Sequence, residues 1–129
     1  MKKENIKFKA KRIDNGEWII GSFVVMKIPA LSKTTIGIVA EGGATLYEVA
    51  LSTICQFIGF LDKNGKEIYE GDVIHIGPDY YVVIWVEDLG GFYLKVDYAK
   101  LPCTSPLGAM LCRFDFEVIG NINDDQKGG

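Results

Sequence analysis

The chain has 129 residues, 14 Lys and Arg against 17 Asp and Glu, and a formal net charge of −3. That length fits one domain with a hydrophobic core needing no disulfide or metal, and 48% hydrophobic with 24% charged residues excludes a disordered composition. The acidic balance excludes a surface that is basic throughout, though not a local basic stripe that meets phosphates.

Lys2 and Lys3 follow Met1, but Glu4 and Asn5 come next and no apolar h-region appears, so no signal peptide is expected. From Ile6 to Arg12, apolar and basic residues alternate with the period of a half-buried strand. Lys7, Lys9 and Lys11 fall on one face, and Ile6, Phe8 and Ala10 on the other. Asp14-Asn15-Gly16 is a turn signal, and Glu17 to Met26 supplies a second, largely apolar strand, which makes a hairpin with the first. Pro29 to Lys33 reads as a loop, Thr34 to Ala40 as a β-branched strand, and Glu41-Gly42-Gly43 as a turn. Thr45 to Phe60 is ambiguous in period. We read it as a strand, a short turn near Ala50 to Ser52, and a strand from Thr53 to Ile58; a single short helix is the alternative.

Asn64-Gly65 is a hairpin dipeptide expected to form a type I′ turn, with Gly65 at positive φ. Glu70-Gly71-Asp72 is a second tight turn, in which Gly71 takes positive φ and the Asp72 side chain caps nearby N–H groups. Val73 to Ile76 follows as a strand and Pro78-Asp79 breaks it. Tyr80 to Val86 is a continuous apolar run, expected of a strand buried on both faces. Asp88 to Gly91 turns the chain into Phe92 to Tyr98. Lys100 to Met110 is expected to be a loop, and Leu111 to Ile122 to carry the last strand. Short strands at frequent turn spacing predict an all-β sandwich or barrel. The expected organisation is a single domain over 1–122 and a flexible polar tail over 123–129.

Several of these stretches together resemble the YopX family of bacteriophage and prophage proteins. They are Lys7-Phe8-Lys9-Ala10 with Trp18-Ile19-Ile20-Gly21-Ser22, then Thr53 to Gly59 running through Asp62-Lys63-Asn64-Gly65 to Ile68-Tyr69-Glu70-Gly71-Asp72-Val73, and finally Phe116 to Ile122. The family pattern has Gly where this chain has Cys55 and Thr where it has Ile58. The resemblance implies a phage or prophage origin, hence the cytoplasm of a bacterial host. It further implies a small SH3-like, partly open barrel core with additional N-terminal strands and at most one short helix. It implies no activity and carries over no catalytic or binding residue.

The candidate chemistries are few. Asp62, Asn64 and Asp72 are default turn residues, and Gly65 stands fourth from Asp62 where a calcium loop needs glycine sixth. No metal or other cofactor is expected. His75, the only histidine, lies in an alternating strand and lacks a visible catalytic partner. Cys55, Cys103 and Cys112 are odd in number, form no CxxC pair, and read as reduced thiols. Lys7, Lys9 and Lys11, with Lys2, Lys3 and Arg12 nearby, are the candidate nucleic-acid contact. The competing reading is an edge strand protected from aggregation by lysines, favoured by the lack of interleaved exposed aromatics. Trp18, Tyr80, Tyr81, Trp85, Phe92, Tyr93 and Tyr98 are candidates to line a peptide groove; most are expected in the core, and an exposed patch among them would mark a self-association or partner surface. The expected protein is non-enzymatic and soluble, acting through a protein partner or self-association, with no membrane and no small-molecule substrate. Nucleic-acid binding is the alternative.

Overall fold

Residues 2–96, 107–111 and 115–125 are described by the computed structural model. They form ten strands: β1 (Phe8–Lys11), β2 (Trp18–Ile28), β3 (Lys33–Ala40), β4 (Leu46–Glu48), β5 (Cys55–Leu61), β6 (Glu67–Tyr69), β7 (Asp72–Ile76), β8 (Asp79–Val86), β9 (Gly91–Val96) and β10 (Glu117–Asn121). One short helix, α1, covers Leu107–Leu111, where a loop running into a strand was expected. The protein is all-β, with two antiparallel sheets ordered β4-β3-β2-β1-β5-β6 and β10-β7-β8-β9. Among the described residues neither sheet closes into a barrel. Tyr98, Cys103, Cys112 and residues 126–129 lie outside the described residues.

The chain divides into two compact units, with the division inside β5, between Phe57 and Ile58. In the first unit β1 lies between β2 and β5, pairing Phe8 with Gly21 on one side and with Gln56 on the other. The lysine-bearing strand is therefore interior, not the edge that its lysines imitate. Its apolar face packs Ala10 with Ile38 and Val49, and Phe8, Ile19, Ile36 and Ile54 pack around them. Thr45 to Phe60 resolves as strand, 3₁₀ turn and strand. The turn is fastened by buried Thr53, whose Oγ1 accepts the Lys11 N–H at 2.9 Å and donates to the Ala50 carbonyl at 2.7 Å.

The second unit encloses Ile58, Ile68, Ile74, Val83, Leu94 and Val118, with Leu107 and Leu111 of α1 and Phe116 joining them. Alternation in β7 is clean, because Ile74 and Ile76 are buried while His75 faces the other way. β8 departs from the sequence reading. Only Val82 and Val83 are buried, and the ends of the run expose Tyr80 and Trp85. Hydrophobicity alone cannot distinguish a strand buried on both faces from one whose ends run past the core.

The Asn64-Gly65 turn also departs from type I′. Gly65 is left-handed at φ 80°, but Asn64 is not, whereas type I′ needs both. The Gly65 N–H instead donates to the Asp62 carbonyl at 3.0 Å, and the Asp62 N–H to the Lys66 carbonyl at 2.8 Å. This is a longer loop closed by a left-handed glycine.

Gly21 marks a close backbone approach in β2: a Cβ there would sit 1.9 Å from the Val39 carbonyl oxygen. Gly21→Ala should therefore lower stability by about 3 kcal/mol, the upper end of ordinary overpacking. Gly43→Ala, whose nearest atom would be 3.8 Å away, should change it by less than about 0.5 kcal/mol. Urea denaturation of both variants checks the contrast.

Candidate functional site

The β1 lysines carry their aromatic partners with them. Lys9 Nζ stands 4.5 Å from the centre of the Trp18 ring and Lys11 Nζ 5.4 Å, so one indole serves two cations. Lys7 Nζ lies 5.0 Å over the Phe57 ring and 3.6 Å from Glu41 Oε1. Lys11 is only 5% exposed, far from the open phosphate-facing residue that strand alternation predicts. Arg12 stacks 4.3 Å over Tyr47 and forms a two-point pair with Asp14 at 2.9 and 2.6 Å. That hydrogen bond raises the Arg12 pKa and lowers that of Asp14. The basic face is thus real, but its charges are already stacked or paired. Trp18 and Phe57 were not readable as partners, because both come from neighbouring strands.

The turn residues build the most ordered polar assembly. Asp72, 1% exposed, accepts the Tyr69 N–H on Oδ2 and the Asn121 side-chain amide on Oδ1, each at 2.8 Å. Asn121 Nδ2 also donates to the Glu70 carbonyl at 3.1 Å, and its Oδ1 accepts the Asn123 N–H at 2.9 Å. Gly71, left-handed at φ 84°, donates its N–H to the Val83 carbonyl and accepts from the Ile122 N–H. A Cβ on Gly71 would meet Ile122 and Asn121 side-chain atoms at 3.2 to 3.4 Å. The tight turn is therefore wedged between β8 and the end of β10.

Asp62 makes a second clamp. Its Oδ1 accepts the Asn64 and Lys66 N–H groups at 2.8 Å, and its Oδ2 accepts the Val118 N–H at 3.0 Å. Burial pushes its pKa up, but the N–H groups of Val118, Lys66 and Asn64 outweigh that and hold it below the usual carboxylate value. Nothing in the local sequence announces that Asp62 meets Val118, or Asp72 meets Asn121, across some fifty residues of chain.

His75 stacks on Tyr80 with ring centres 4.7 Å apart, and Glu117 is its register partner on the other side. Cys55 is buried, its thiol donating to the Thr53 carbonyl at 3.2 Å, an arrangement of a structural rather than a reactive cysteine. Among the described residues no group of His, Cys, Asp or Glu is arranged to hold a metal ion. No helix among them is long and apolar enough to cross a membrane.

The loop expected from Pro29 to Lys33, between two strands, is the end of a hairpin that extends beyond its neighbours in the sheet. β2 pairs with β1 only over Trp18 to Gly21, and β3 with β4 only over Gly37 to Val39. Beyond Ile36, whose carbonyl still accepts the Val49 N–H, β2 and β3 continue as a two-stranded hairpin from the Met26–Thr35 pair to the Ile28–Lys33 pair. Its tip is the 3₁₀ turn Pro29–Leu31, followed by Ser32 in the left-handed region at φ 49°. Val25, Met26 and Leu31 are exposed, Leu31 by 68%. Val25 and Met26 are adjacent in the strand, so both faces of this arm carry apolar surface. The available signal was the run Val24-Val25-Met26-Lys27-Ile28, in which Lys27 is the one polar residue.

These elements define an antiparallel two-sheet β protein in which turn carboxylates fasten the last strand and an apolar hairpin projects from the first unit. The YopX protein family model matches residues 4–127, and the chain belongs to that family. No curated protein matches it.

Asp62 and Asn121 give separable predictions. Because the folded pKa of Asp62 lies below its unfolded value, its stabilisation is full above about pH 4 and is lost as pH falls through the folded pKa. Asp62→Asn should therefore be less stable than wild type by about 2 kcal/mol at neutral pH, with the gap narrowing in acid. Urea denaturation across that range reads it, and a pH-independent gap would show that the charge is irrelevant. Asn121→Ala should cost about 2 kcal/mol by leaving buried partners unsatisfied.

Proposed function

We propose that this YopX-family chain is a phage or prophage accessory protein that works without catalysis, by docking its β2–β3 arm against a protein surface. The projecting hairpin carries this reading. A lone two-stranded hairpin is marginally stable in water, and exposed apolar side chains on both faces favour a partner that covers them. The enclosed Cys55 and the stacked His75 fit such a role better than a nucleophile and its base. In the same reading the second unit is the SH3-like, partly open barrel core, with β1–β4 as the additional N-terminal strands. The β7-β8-β9 meander, with β10 returning beside β7, supports that description.

Replacing Val25, Met26 and Leu31 together by Ser tests the arm. These side chains are exposed, so the thermal midpoint should move by only a few degrees, consistent with about 1 kcal/mol or less. Capture of partner protein from an induced host, compared side by side with wild type, should be lost. Undiminished capture by the triple variant overturns the proposal.

A second reading, nucleic-acid binding, is favoured by one observation: Trp18 lies beneath both Lys9 and Lys11. Cations bracketing an aromatic ring suit a single strand, whose bases stack while its phosphates meet the charges. In this reading Lys9→Gln weakens retention of a labelled oligonucleotide, and retention falls steeply as salt rises. No retention at low salt removes it.

A further inference from the structure

We infer that the arm's occupant is a second copy of this chain, seated through the tip of its β8–β9 hairpin. The inference rests on the arm reading and names its partner. Charge is divided unevenly along the sequence: residues 1–57 hold eight Lys and Arg against five Asp and Glu, while 58–124 hold five against eleven. The arm repeats this contrast locally. Between Trp18 and Ala40 the only charged residues are Lys27 and Lys33, both exposed on the arm.

One surface of the second unit has the opposite composition. From Tyr80 to Leu94 the only charged residues are Glu87 and Asp88, both exposed in the 3₁₀ turn Glu87–Leu89 that joins β8 to β9. Beside them Trp85 is 43% exposed and Leu89 55%. Trp85 is held by an edge-on contact with Phe92 at 5.1 Å, so it is presented as a fixed ring. Tryptophan is enriched among the side chains that anchor protein contacts, and Leu89 extends the apolar surface beside it. Each face of the arm pairs an apolar side chain with a lysine, Val25 with Lys27 on one and Met26 with Lys33 on the other, so the apolar member covers Trp85 and Leu89 while the lysine meets Glu87 and Asp88.

Apolar contact supplies most of the affinity in such an arrangement, and the charges select orientation and partner. Two arms of one sign repel each other, as do two acidic tips, so only arm against tip satisfies both surfaces. Two copies can engage reciprocally, or copies can follow head to tail; each contact joins the same two surfaces.

Charge reversal in the full chain tests the assignment, with sedimentation velocity and light scattering reading mass against the 14.3 kDa monomer. Wild type should exceed monomer mass at low salt. Lys27→Glu with Lys33→Glu should weaken association about tenfold, and Glu87→Lys with Asp88→Lys by a similar factor, as two rim pairs turn repulsive. All four reversals together should restore association to within about threefold of wild type. Unchanged thermal midpoints confirm that the variants remain folded. A wild type that stays monomeric overturns the second-copy inference and leaves the arm to its capture test. Association that the arm reversal weakens but the four reversals fail to restore overturns the β8–β9 tip and keeps the arm. Association indifferent to both reversals, and to the Val25, Met26 and Leu31 replacements, overturns the arm as well.

Discussion

The second unit depends on how its last strand is held. β10 is five residues long, pairs with β7, and has its ladder interrupted by a register shift between Val118 and Gly120. Backbone pairing of that length secures little by itself. The Asp62 carboxylate supplies an acceptor to the middle of the strand at Val118, and Asp72 grips its end through Asn121. Both carboxylates are buried, a state tolerable only because N–H groups surround them. Each clamp is consequently stringent: removing it leaves donors in a dry environment, which is worse than never having built it.

This arrangement explains why the recognisable parts of the sequence are so far apart. Asp62-Lys63-Asn64-Gly65 and Glu70-Gly71-Asp72 lie in the middle of the chain, and Phe116 to Ile122 near its end. In three dimensions they are two sides of one hydrogen-bonded assembly: the first turn meets Phe116 and Val118, and the second meets Asn121 and Ile122. The resemblance carried by these stretches thus marks what closes the fold. Asp62, Asp72 and Gly71 are the residues of these stretches that do that work.

What was legible in the residues follows from the range of the forces involved. Strand periods and turns are local, so β1 to β3, the division of Thr45 to Phe60, the Gly71 conformation and the inward face of β7 could be read directly. The type I′ expectation failed because Asp62 captures two N–H groups and lengthens the loop around Gly65. Long-range facts had no local signature. Sequence alternation placed Lys7, Lys9 and Lys11 on one face, but not that β1 lies inside the sheet or that Trp18 and Phe57 lie beneath the cations. Lys11 itself lies between Trp18 of β2 and the Ala50–Thr53 turn, a neighbour that nothing near Lys11 in the sequence announces. Asn121 was read only as part of a strand, because a partner 49 positions away leaves no pattern in a chain taken singly.

The arm and the clamp make opposite demands on sequence. Around β10 Asp62, Asp72 and Asn121 each make several hydrogen bonds, and no buried side-chain polar atom among the described residues lacks a partner, so changing one disturbs several. Along Val25 to Ser32 the strands satisfy each other's backbone, and Val25, Met26 and Leu31 stand outside both core clusters of the described residues. Polar residues with good strand propensity, such as threonine, would hold the same hairpin with less tendency to aggregate. The absence of acidic residues there is equally unnecessary for folding. Folding explains the clamp, and the docking proposed above is what accounts for the composition of the arm.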